Sequence, residues 1–244
     1  MPPVCLVHWL ETIDYEQAWR LQEALAGEIG GGDRPPTLLL LEHPHTFTFG
    51  RRGQAENLLW DADQLSQRGV RVHWVDRGGD VTYHGPGQLV GYPLLPLASG
   101  GMSAQPGHPP QIDYIGYLRW LEAMLIEALR ELGVAGERLP GLTGVWAQPG
   151  SAKLASIGVK VDARGVSRHG FALNVDQDMR YWEGIVACGI RDYASTSLTG
   201  LLDPIPTMDQ VVQAVTHAFG ETFGYEMVTR PMEWPGGMET NTND

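Results

Sequence analysis

Two residues in the second half of the chain, Lys153 and Cys188, could together carry out acyl transfer. Cys188 lies in the apolar run 185–190 and is followed by glycine, while Lys153 opens the otherwise apolar segment 153–158. A lysine beside a thiol favours the thiolate, the form that attacks carbonyls and thioesters. The same two residues could instead be a core cysteine and a lysine whose ammonium group extends to solvent, so both interpretations stand at this point.

A glycine-rich segment earlier in the chain has the composition of a binding loop. Residues 77–91 read Arg-Gly-Gly-Asp-Val-Thr-Tyr-His-Gly-Pro-Gly-Gln-Leu-Val-Gly, so five of the fifteen are glycine. Glycine lets the backbone take positive φ and lets a ligand approach the main chain closely. Because the polar cluster precedes the apolar run 88–95, the pattern predicts a binding loop that leads into a strand. A surface turn without a ligand is the alternative.

The histidines offer further candidate groups. His84 and His169 each precede a glycine and could orient a ligand, donate to an oxyanion, or be structural. His43 and His45 lack the additional ligands of a metal site. The sequence contains neither the phosphate-loop pattern nor the dinucleotide glycine fingerprint. We therefore expect no metal and no nucleotide cofactor.

Composition limits the compartments and partners to be considered. The 244 residues carry a formal charge of −12, which argues against a general nucleic-acid binder, and 43% are hydrophobic, which supports a globular core. No apolar stretch approaches the ~20 residues of a membrane span, and the first residues show no basic region followed by an apolar one, so we expect no secretory signal. Two cysteines make no disulfide framework, so we expect a cytoplasmic protein. From the charge and the lack of a membrane span, we expect that it binds neither nucleic acid nor membrane. Five basic residues could form a docking patch for an acidic partner or lie scattered: Arg51, Arg52, Lys160, Arg164 and Arg168.

The elements that must position these groups mix helices and strands irregularly. Helical periodicity predicts helices over 14–28, 112–132 and 206–223, the first capped by Asp14. Strands are predicted over 37–41, 70–75, 88–95, 142–147, 154–161 and 165–175, with hairpin turns at 148–151 and 162–165. Residues 42–50 are predicted to be a loop and 98–110 a mobile excursion. Because βαβ alternation is absent and hairpins recur, the sequence predicts an α+β fold.

The chain shows no repeat and no linker that would separate two domains. We predict one catalytic domain over residues 1–228. The remaining segment, 229–244, contains Pro, Gly, Asn and Thr and is predicted to be a disordered tail.

Five blocks of sequence follow one another in a specific order. The most specific, Arg-Gly-Gly-Asp-Val-Thr-Tyr-His-Gly-Pro-Gly-Gln, covers residues 77–88. The others are Gly-Leu-Thr-Gly-Val-Trp at 141–146, Lys-Leu-Ala-Ser-Ile-Gly-Val at 153–159, His-Gly-Phe-Ala-Leu-Asn at 169–174 and Cys-Gly-Ile at 188–190. In these blocks the chain resembles the octanoyltransferases of lipoate biosynthesis, over nearly its whole length to about residue 225.

The resemblance implies a fold and a reaction. The fold is α+β, a mixed β-sheet flanked by helices, as in biotin protein ligases and lipoate–protein ligases. The reaction moves octanoate from the phosphopantetheine thioester of acyl carrier protein to a lysine on a lipoyl domain. Acceptors would be the lipoyl domains of 2-oxoacid dehydrogenase complexes and the glycine cleavage H protein, and the enzyme would be a monomer. No cofactor is implied beyond the carrier's own phosphopantetheine, because a thioester can acylate an amine without ATP.

The resemblance also implies roles for individual residues. Cys188 becomes the acyl-thioester nucleophile, and Lys153 becomes the residue that lowers its pKa and moves protons. The apolar strands over 154–161 and 170–175 could line a slot for the eight-carbon tail. The implied substrate-binding residues are Arg77, Gly78, Gly79, Asp80, Val81, Thr82, Tyr83, His84, Ser156, Ile157, Gly158, Gly170, Phe171 and Ala172.

Two positions depart from the family pattern, and three other functions stay open. Ala187 precedes Cys188 where the family usually has proline, and the segment from Lys153 to His169 is one residue longer than expected. An ATP-dependent lipoate or biotin ligase would not need Cys188 and would bind ATP. A thioesterase would pass the acyl group to water, and a silent binding module would show no turnover.

Overall fold

A mixed sheet runs through the part of the chain that the structure describes, a computed structural model covering residues 1–97, 113–150, 152–187 and 194–237. The helices are α1 (Tyr15–Gly31), α2 (Ala62–Gln67), α3 (Tyr114–Glu131) and α4 (Met208–Phe223). The strands are β1 (Val4–Thr12), β2 (Thr37–Glu42), β3 (Thr46–Phe49), β4 (Arg71–Trp74), β5 (Val81–His84), β6 (Gln88–Leu94), β7 (Gly136–Glu137), β8 (Val145–Ala147), β9 (Ala152–Val161), β10 (Ser167–Asn174), β11 (Ala194–Ser195) and β12 (Glu226–Thr229).

The large sheet has the strand order β12-β1-β2-β6-β10-β9-β8-β7, with β11 paired to β9 beside that path. β1 is parallel to both β12 and β2. Every later neighbouring pair in this order, from β2-β6 to β8-β7, is antiparallel. The predicted hairpins are confirmed, because the chain turns directly from β8 to β9 and from β9 to β10. The mixture of parallel and antiparallel pairs, with helices on both faces, confirms the predicted α+β fold.

A second, three-stranded sheet has the order β4-β3-β5 and corrects two sequence predictions. Residues 42–50 were predicted to be a loop, but 46–49 form the central strand β3, and 81–84 of the predicted glycine-rich loop form β5. Every residue of both strands is buried. Both strands alternate polar and apolar residues, but over only four positions next to His, Pro and Gly residues, which favour a loop.

The helices cover the two faces of the large sheet, and β2 shows how its side chains divide between them. Leu38 and Leu40 pack with α3 and α4, whereas Leu39 and Leu41 pack with α1. Successive side chains of a strand point to opposite faces, so an all-leucine strand buries both. The predicted cap of α1 is confirmed, because the Asp14 carboxylate accepts the backbone N–H of Glu16 at 2.9 Å.

One prediction about helix α3 needs correction, and one about the segment before it lies outside the described residues. The periodicity of the helix predicted over 112–132 puts Ile115, Leu121, Leu125 and Leu129 on one apolar stripe that should face the core. Ile115, in the first turn of α3, is nevertheless 67% exposed. Farther along, Leu121, Leu125 and Leu129 are fully buried as predicted. The segment 98–110, predicted to be a mobile excursion, lies outside the described residues.

The C-terminal segment adds a strand at one edge of the sheet. β12 pairs with β1, and the backbone N–H of Arg230 donates to the carbonyl of Val7 at 3.0 Å. Met232 and Trp234 pack against the core beneath α1. Residues 238–244 of the predicted tail lie outside the described residues. Within the described chain, no helix combines the length and the apolar character that crossing a bilayer requires.

Candidate active site

One cavity, here called the inner cavity, gathers segments that are distant in sequence. It spans about 470 Å³ of atom-free space, part of it open to solvent. Twelve of the fourteen predicted substrate-binding residues line it: Arg77, Gly79, Asp80, Val81, Thr82, His84, Ser156, Ile157, Gly158, Gly170, Phe171 and Ala172. The other lining residues are Tyr15, Tyr92 and His169.

Two predicted binding residues lie away from the inner cavity. Gly78 donates its N–H to the carbonyl of Val159 at 2.9 Å and so joins the glycine-rich segment to β9. Tyr83 packs into the aromatic core of the smaller sheet, and its hydroxyl lies 2.9 Å from Nδ1 of His45. Tyr15 and Tyr92 were missed by the sequence analysis, because a single buried tyrosine in a helix or strand carries no pattern that separates a ligand contact from core packing.

Two glycines opposite each other on β9 and β10 make room for the glycine-rich segment. Gly158 pairs with Gly170 across the two strands. A Cβ atom on Gly158 would lie 2.9 Å from the carbonyl oxygen of Gly78, and one on Gly170 would lie 2.1 Å from that of Gly91. Any side chain at these positions would therefore push the neighbouring backbone away and disturb the cavity wall.

Arg77 holds the glycine-rich segment onto the smaller sheet. Its Nη2 donates to the carbonyl oxygen of Thr48 at 2.5 Å and to Oγ1 at 2.9 Å. At the other end of the segment, the Asp80 carboxylate accepts the backbone N–H groups of Val81 and Gln54 at 2.7 and 3.2 Å. These charge-assisted hydrogen bonds fix the short stretch between the two residues.

A group of charged residues supports one wall of the cavity. Nε2 of His169 donates to the Asp76 carboxylate at 2.7 Å, and the same carboxylate pairs with Lys160 and with Arg168 at 2.9 Å. Burial alone would raise the pKa of Asp76, but the hydrogen bonds from His169 and Lys160 and the charge of Arg168 outweigh it and hold that pKa well below its ordinary value. Asp76 is therefore an ionised acceptor that orients the His169 ring.

The ion pairs around Asp76 involve two of the five basic residues for which the sequence leaves a docking patch open. Arg168 is only 5% exposed and pairs with Glu23 as well as Asp76. Lys160 also pairs with Asp76, so neither residue offers an unpaired charge to a partner. Arg51 and Arg52 are exposed.

Three buried histidines next to the inner cavity or in its wall have lowered pKa values. Burial holds the pKa of His84 well below its ordinary value and also lowers that of His169. Burial lowers the pKa of His43 to about 4, even though its Nδ1 donates to the carbonyl of Ile13 at 2.7 Å. All three rings are neutral near pH 7, so His84 and His169 can donate or accept a hydrogen bond there but do not supply a cation.

His43 should make the protein lose stability in mild acid. A folded pKa of about 4 lies below the unfolded value of ~6.5, so the unfolded state binds the proton first and stability falls as the pH falls from about 6.5 towards 4. We expect His43→Asn to reduce the difference in unfolding free energy between pH 7 and pH 5 by about 2 kcal/mol, measured by urea denaturation. His217→Asn is the control: Glu131 raises the pKa of this exposed histidine, so its removal should not reduce the difference. An unchanged difference in the His43 variant would contradict the assignment.

A second, more polar space adjoins the inner cavity and is here called the vestibule. It spans about 1080 Å³, is open to solvent, and shares Gly79, Asp80 and Ile157 with the inner cavity. Lys153 lines it, and its Nζ lies 5.0 Å from the centre of the Trp146 ring, within the range of a cation–π contact. The remaining lining residues are Arg52, Gln54, Asn57, Gly141, Leu142 and Thr143.

Cys188, the predicted nucleophile, belongs to the segment 188–193 outside the described residues. The described residues on both sides of this segment are attached to the vestibule. The N–H of Val186 donates to the carbonyl of Asn57 at 2.8 Å, and Ser195 pairs with Lys153 in the β11–β9 ladder. The described residues that flank the segment 188–193 therefore lie beside the vestibule residues Asn57 and Lys153. Within the described residues, no group of three His, Cys, Asp or Glu side chains is placed to bind a metal ion.

The other cysteine has no place in this site. Cys5 is fully buried in the core beneath α3 and α4. Burial raises the pKa of its thiol to about 12, so it stays protonated at neutral pH.

Comparison with known proteins agrees with these features. The family model described as the lipoyl protein ligase A/B catalytic domain matches residues 14–220. The octanoyltransferase of Chloroflexus aurantiacus is 44% identical over 220 residues, which cover 90% of this chain and 94% of that protein. The octanoyltransferase of Acidobacterium capsulatum is 43% identical over 239 residues, covering 96% and 94%. The chain belongs to the octanoyltransferase family of lipoate biosynthesis. It is therefore an acyltransferase, as the sequence analysis predicted.

Solved structures confirm the predicted fold. A lipoate-protein ligase A bound with ATP superposes with a TM-score of 0.75 at 18% identity, over 96% of this chain and 90% of the other. A putative lipoate protein ligase from T. acidophilum with bound lipoic acid gives 0.72 at 18% identity, with the same coverage. At this level of identity the two structures show the shared architecture alone.

Proposed function

We propose that the protein transfers an octanoyl group from the phosphopantetheine thioester of acyl carrier protein to the ε-amino group of a lysine on a lipoyl domain. The observation that carries this proposal is the pair of adjoining spaces: an inner cavity lined by Ile157, Phe171 and Ala172, and a polar vestibule that holds Lys153. The inner cavity suits an aliphatic tail, and the vestibule suits the polar arm that carries it.

The proposed reaction has two steps through Cys188. The thiolate attacks the thioester carbonyl, the bond to the pantetheine sulfur breaks, and the departing thiolate takes up a proton. The neutral amine of the acceptor lysine then attacks the acyl-cysteine, the carbon–sulfur bond breaks, and the thiolate is restored as the nitrogen loses a proton. Lys153 takes part by stabilising the thiolate and by moving these protons. The attachment of residues 186 and 195 beside Asn57 and Lys153 supports this pairing of roles.

The decisive experiment is mass analysis of the intact protein after incubation with octanoyl-acyl carrier protein. We expect the mass of one octanoyl group on the protein, mapped by peptide analysis to Cys188 and removed when a lipoyl domain is added. Because Cys5 is buried and its thiol protonated, it should remain unmodified.

Other outcomes would support the competing functions. An adduct on Cys5, or none in an enzyme that turns over, would overturn the two-step route. Acylation of the lipoyl domain only from free octanoate with ATP would indicate a ligase. Release of octanoate at the same rate with and without the acceptor would indicate a thioesterase.

A further inference from the structure

A fully buried carboxylate, Glu122, lies on α3 at the edge of the sheet. Its oxygens accept hydrogen bonds from Nη1 of Arg119 at 2.7 and 2.9 Å, and Nε of Arg138 lies 3.0 Å away. Both arginine side chains are 41% exposed, whereas the Glu122 carboxylate has no contact with solvent. The two cations therefore lie between the carboxylate and solvent. Burying an ionised carboxylate costs free energy, and two guanidinium groups offset that cost only where their hydrogen bonds to the carboxylate have good geometry.

The Glu122 carboxylate makes one more hydrogen bond, with a residue that lies beside the vestibule lysine. Oε1 of Glu122 accepts the backbone N–H of Gly144 at 3.1 Å. Gly144 has φ +131°, which side-chain-bearing residues rarely adopt. A Cβ atom here would lie 2.5 Å from the carbonyl oxygen of Ala155 and 2.6 Å from Cε of Lys153. Gly144 is therefore the surface against which the lysine stem lies.

The other boundary of Lys153 is set by the pairing of β8 with β9. The register shifts between Val145 and Trp146, so Lys153 lies next to an irregularity in the ladder. Such irregularities turn a side chain away from the direction that a regular strand would give it. The lysine stem thus passes between the backbone of Gly144 and the ring of Trp146 before it reaches the vestibule.

We propose that Glu122 is a positioning residue for acyl transfer. By holding the N–H of Gly144, it fixes the surface beside Lys153 and thereby the place of the lysine ammonium in the vestibule. The carboxylate itself touches no substrate. The inference rests on the proposed function only where it assigns acyl transfer to Lys153, and the link from Glu122 to Lys153 is testable without catalysis.

The chain offers a direct measure of that link because it contains two lysines, Lys153 and Lys160. Trace acetylation with acetic anhydride, mapped by mass spectrometry, gives the rate at Lys153 relative to Lys160, which serves as the internal reference. Glu122→Met removes the acceptor for Gly144 while keeping the side-chain length, and Glu122→Gln keeps an acceptor oxygen. Glu131→Met removes another carboxylate of α3, one that pairs with the exposed His217, and is the matched control.

We expect the relative acetylation rate of Lys153 to change severalfold in Glu122→Met, to lie closer to wild type in Glu122→Gln, and to stay unchanged in Glu131→Met. In the same Met variant, kcat for transfer should fall by about 10- to 10²-fold with little change in KM, because the lysine is displaced but the inner cavity is not. A merely structural role would lower the melting temperature without altering the relative acetylation rate.

Folding failure is addressed by a second variant. With Arg119, Glu122 and Arg138 all replaced by methionine, no charge is left unpaired, and such apolar replacements of buried ion pairs often preserve stability. This variant still lacks the acceptor for Gly144. A folded Met variant, single or triple, with wild-type acetylation of Lys153 overturns the proposal. A changed acetylation rate with unchanged kcat supports the link from Glu122 to Lys153 and instead refutes the catalytic role of Lys153 in the proposed function.

Discussion

Lys153→Met should lower octanoyl transfer at neutral pH by about 10²–10⁴-fold, the range typical of a lost acid–base group. Methionine retains most of the apolar stem that lies between Gly144 and Trp146, so the fold should persist. If the ammonium group stabilises the Cys188 thiolate, the pH midpoint of thiol alkylation should rise towards ~8.5, the ordinary thiol value. The measurements are transfer rate, alkylation rate against pH and melting temperature.

Lys153→Arg is the sharper form of this experiment. Arginine keeps the positive charge but cannot act as a base at accessible pH, so we expect it to be nearly inactive while its thiol alkylates almost as in wild type. Arg130→Met is the control, because it removes an exposed cation that pairs with Glu127 on α3 and lines neither cavity. Near-normal transfer by the arginine variant would show that charge suffices and that another group moves the proton.

Cys188→Ser should abolish nearly all transfer, by on the order of 10³-fold or more, as expected when a nucleophile is removed. A serine hydroxyl is far harder to ionise near neutral pH than a thiol, so the first attack on the thioester would fail. The stopped-flow release of pantetheine thiol and the acylation of a lipoyl domain should be lost together.

Cys5→Ala is the control for Cys188→Ser. It opens a small space in the core beneath α3 and α4 and should cost stability, but the folded fraction should transfer octanoate at the wild-type rate. Substantial transfer by Cys188→Ser would mean that the acceptor amine attacks the carrier thioester directly, without an acyl-enzyme.

Sequence patterns predicted the elements whose side chains divide between core and solvent. The three long helices are present within a few residues of their predicted ends, and the Asp14 cap is as expected. Largely buried strands were predicted where the strand-like run is long, as in β2, β6 and β10. The strand β3, Thr-Phe-Thr-Phe, was instead predicted to be a loop, because two threonines and an adjacent His-Pro-His suggested a polar segment. Its threonines are nevertheless buried between the two neighbouring strands.

The site was predictable where residues lie in contiguous blocks and not where it depends on approach in space. The glycine-rich segment, Ser156–Gly158 and Gly170–Ala172 meet as expected because β9 and β10 pair through Gly158 and Gly170. Tyr15 enters the same cavity from the start of a helix, which no spacing indicates. The sequence places Arg168 among the surface cations, because it does not reveal that Glu23 and Asp76 come from other elements to pair with it.

The ion pair between Lys160 and Asp76 also bears on self-modification. An enzyme that handles activated acyl groups must keep them from its own amines, and amides formed by mistake would not reverse. Of the seventeen cationic residues, fifteen are arginine, whose guanidinium groups are always protonated and do not act as nucleophiles at neutral pH. One of the two lysine side chains is held in a salt bridge and lines neither the inner cavity nor the vestibule. Within the two cavities, Lys153 is therefore the lysine that the proposed thioester would meet, and its acylation would remove the amine to which the proposal assigns proton transfer.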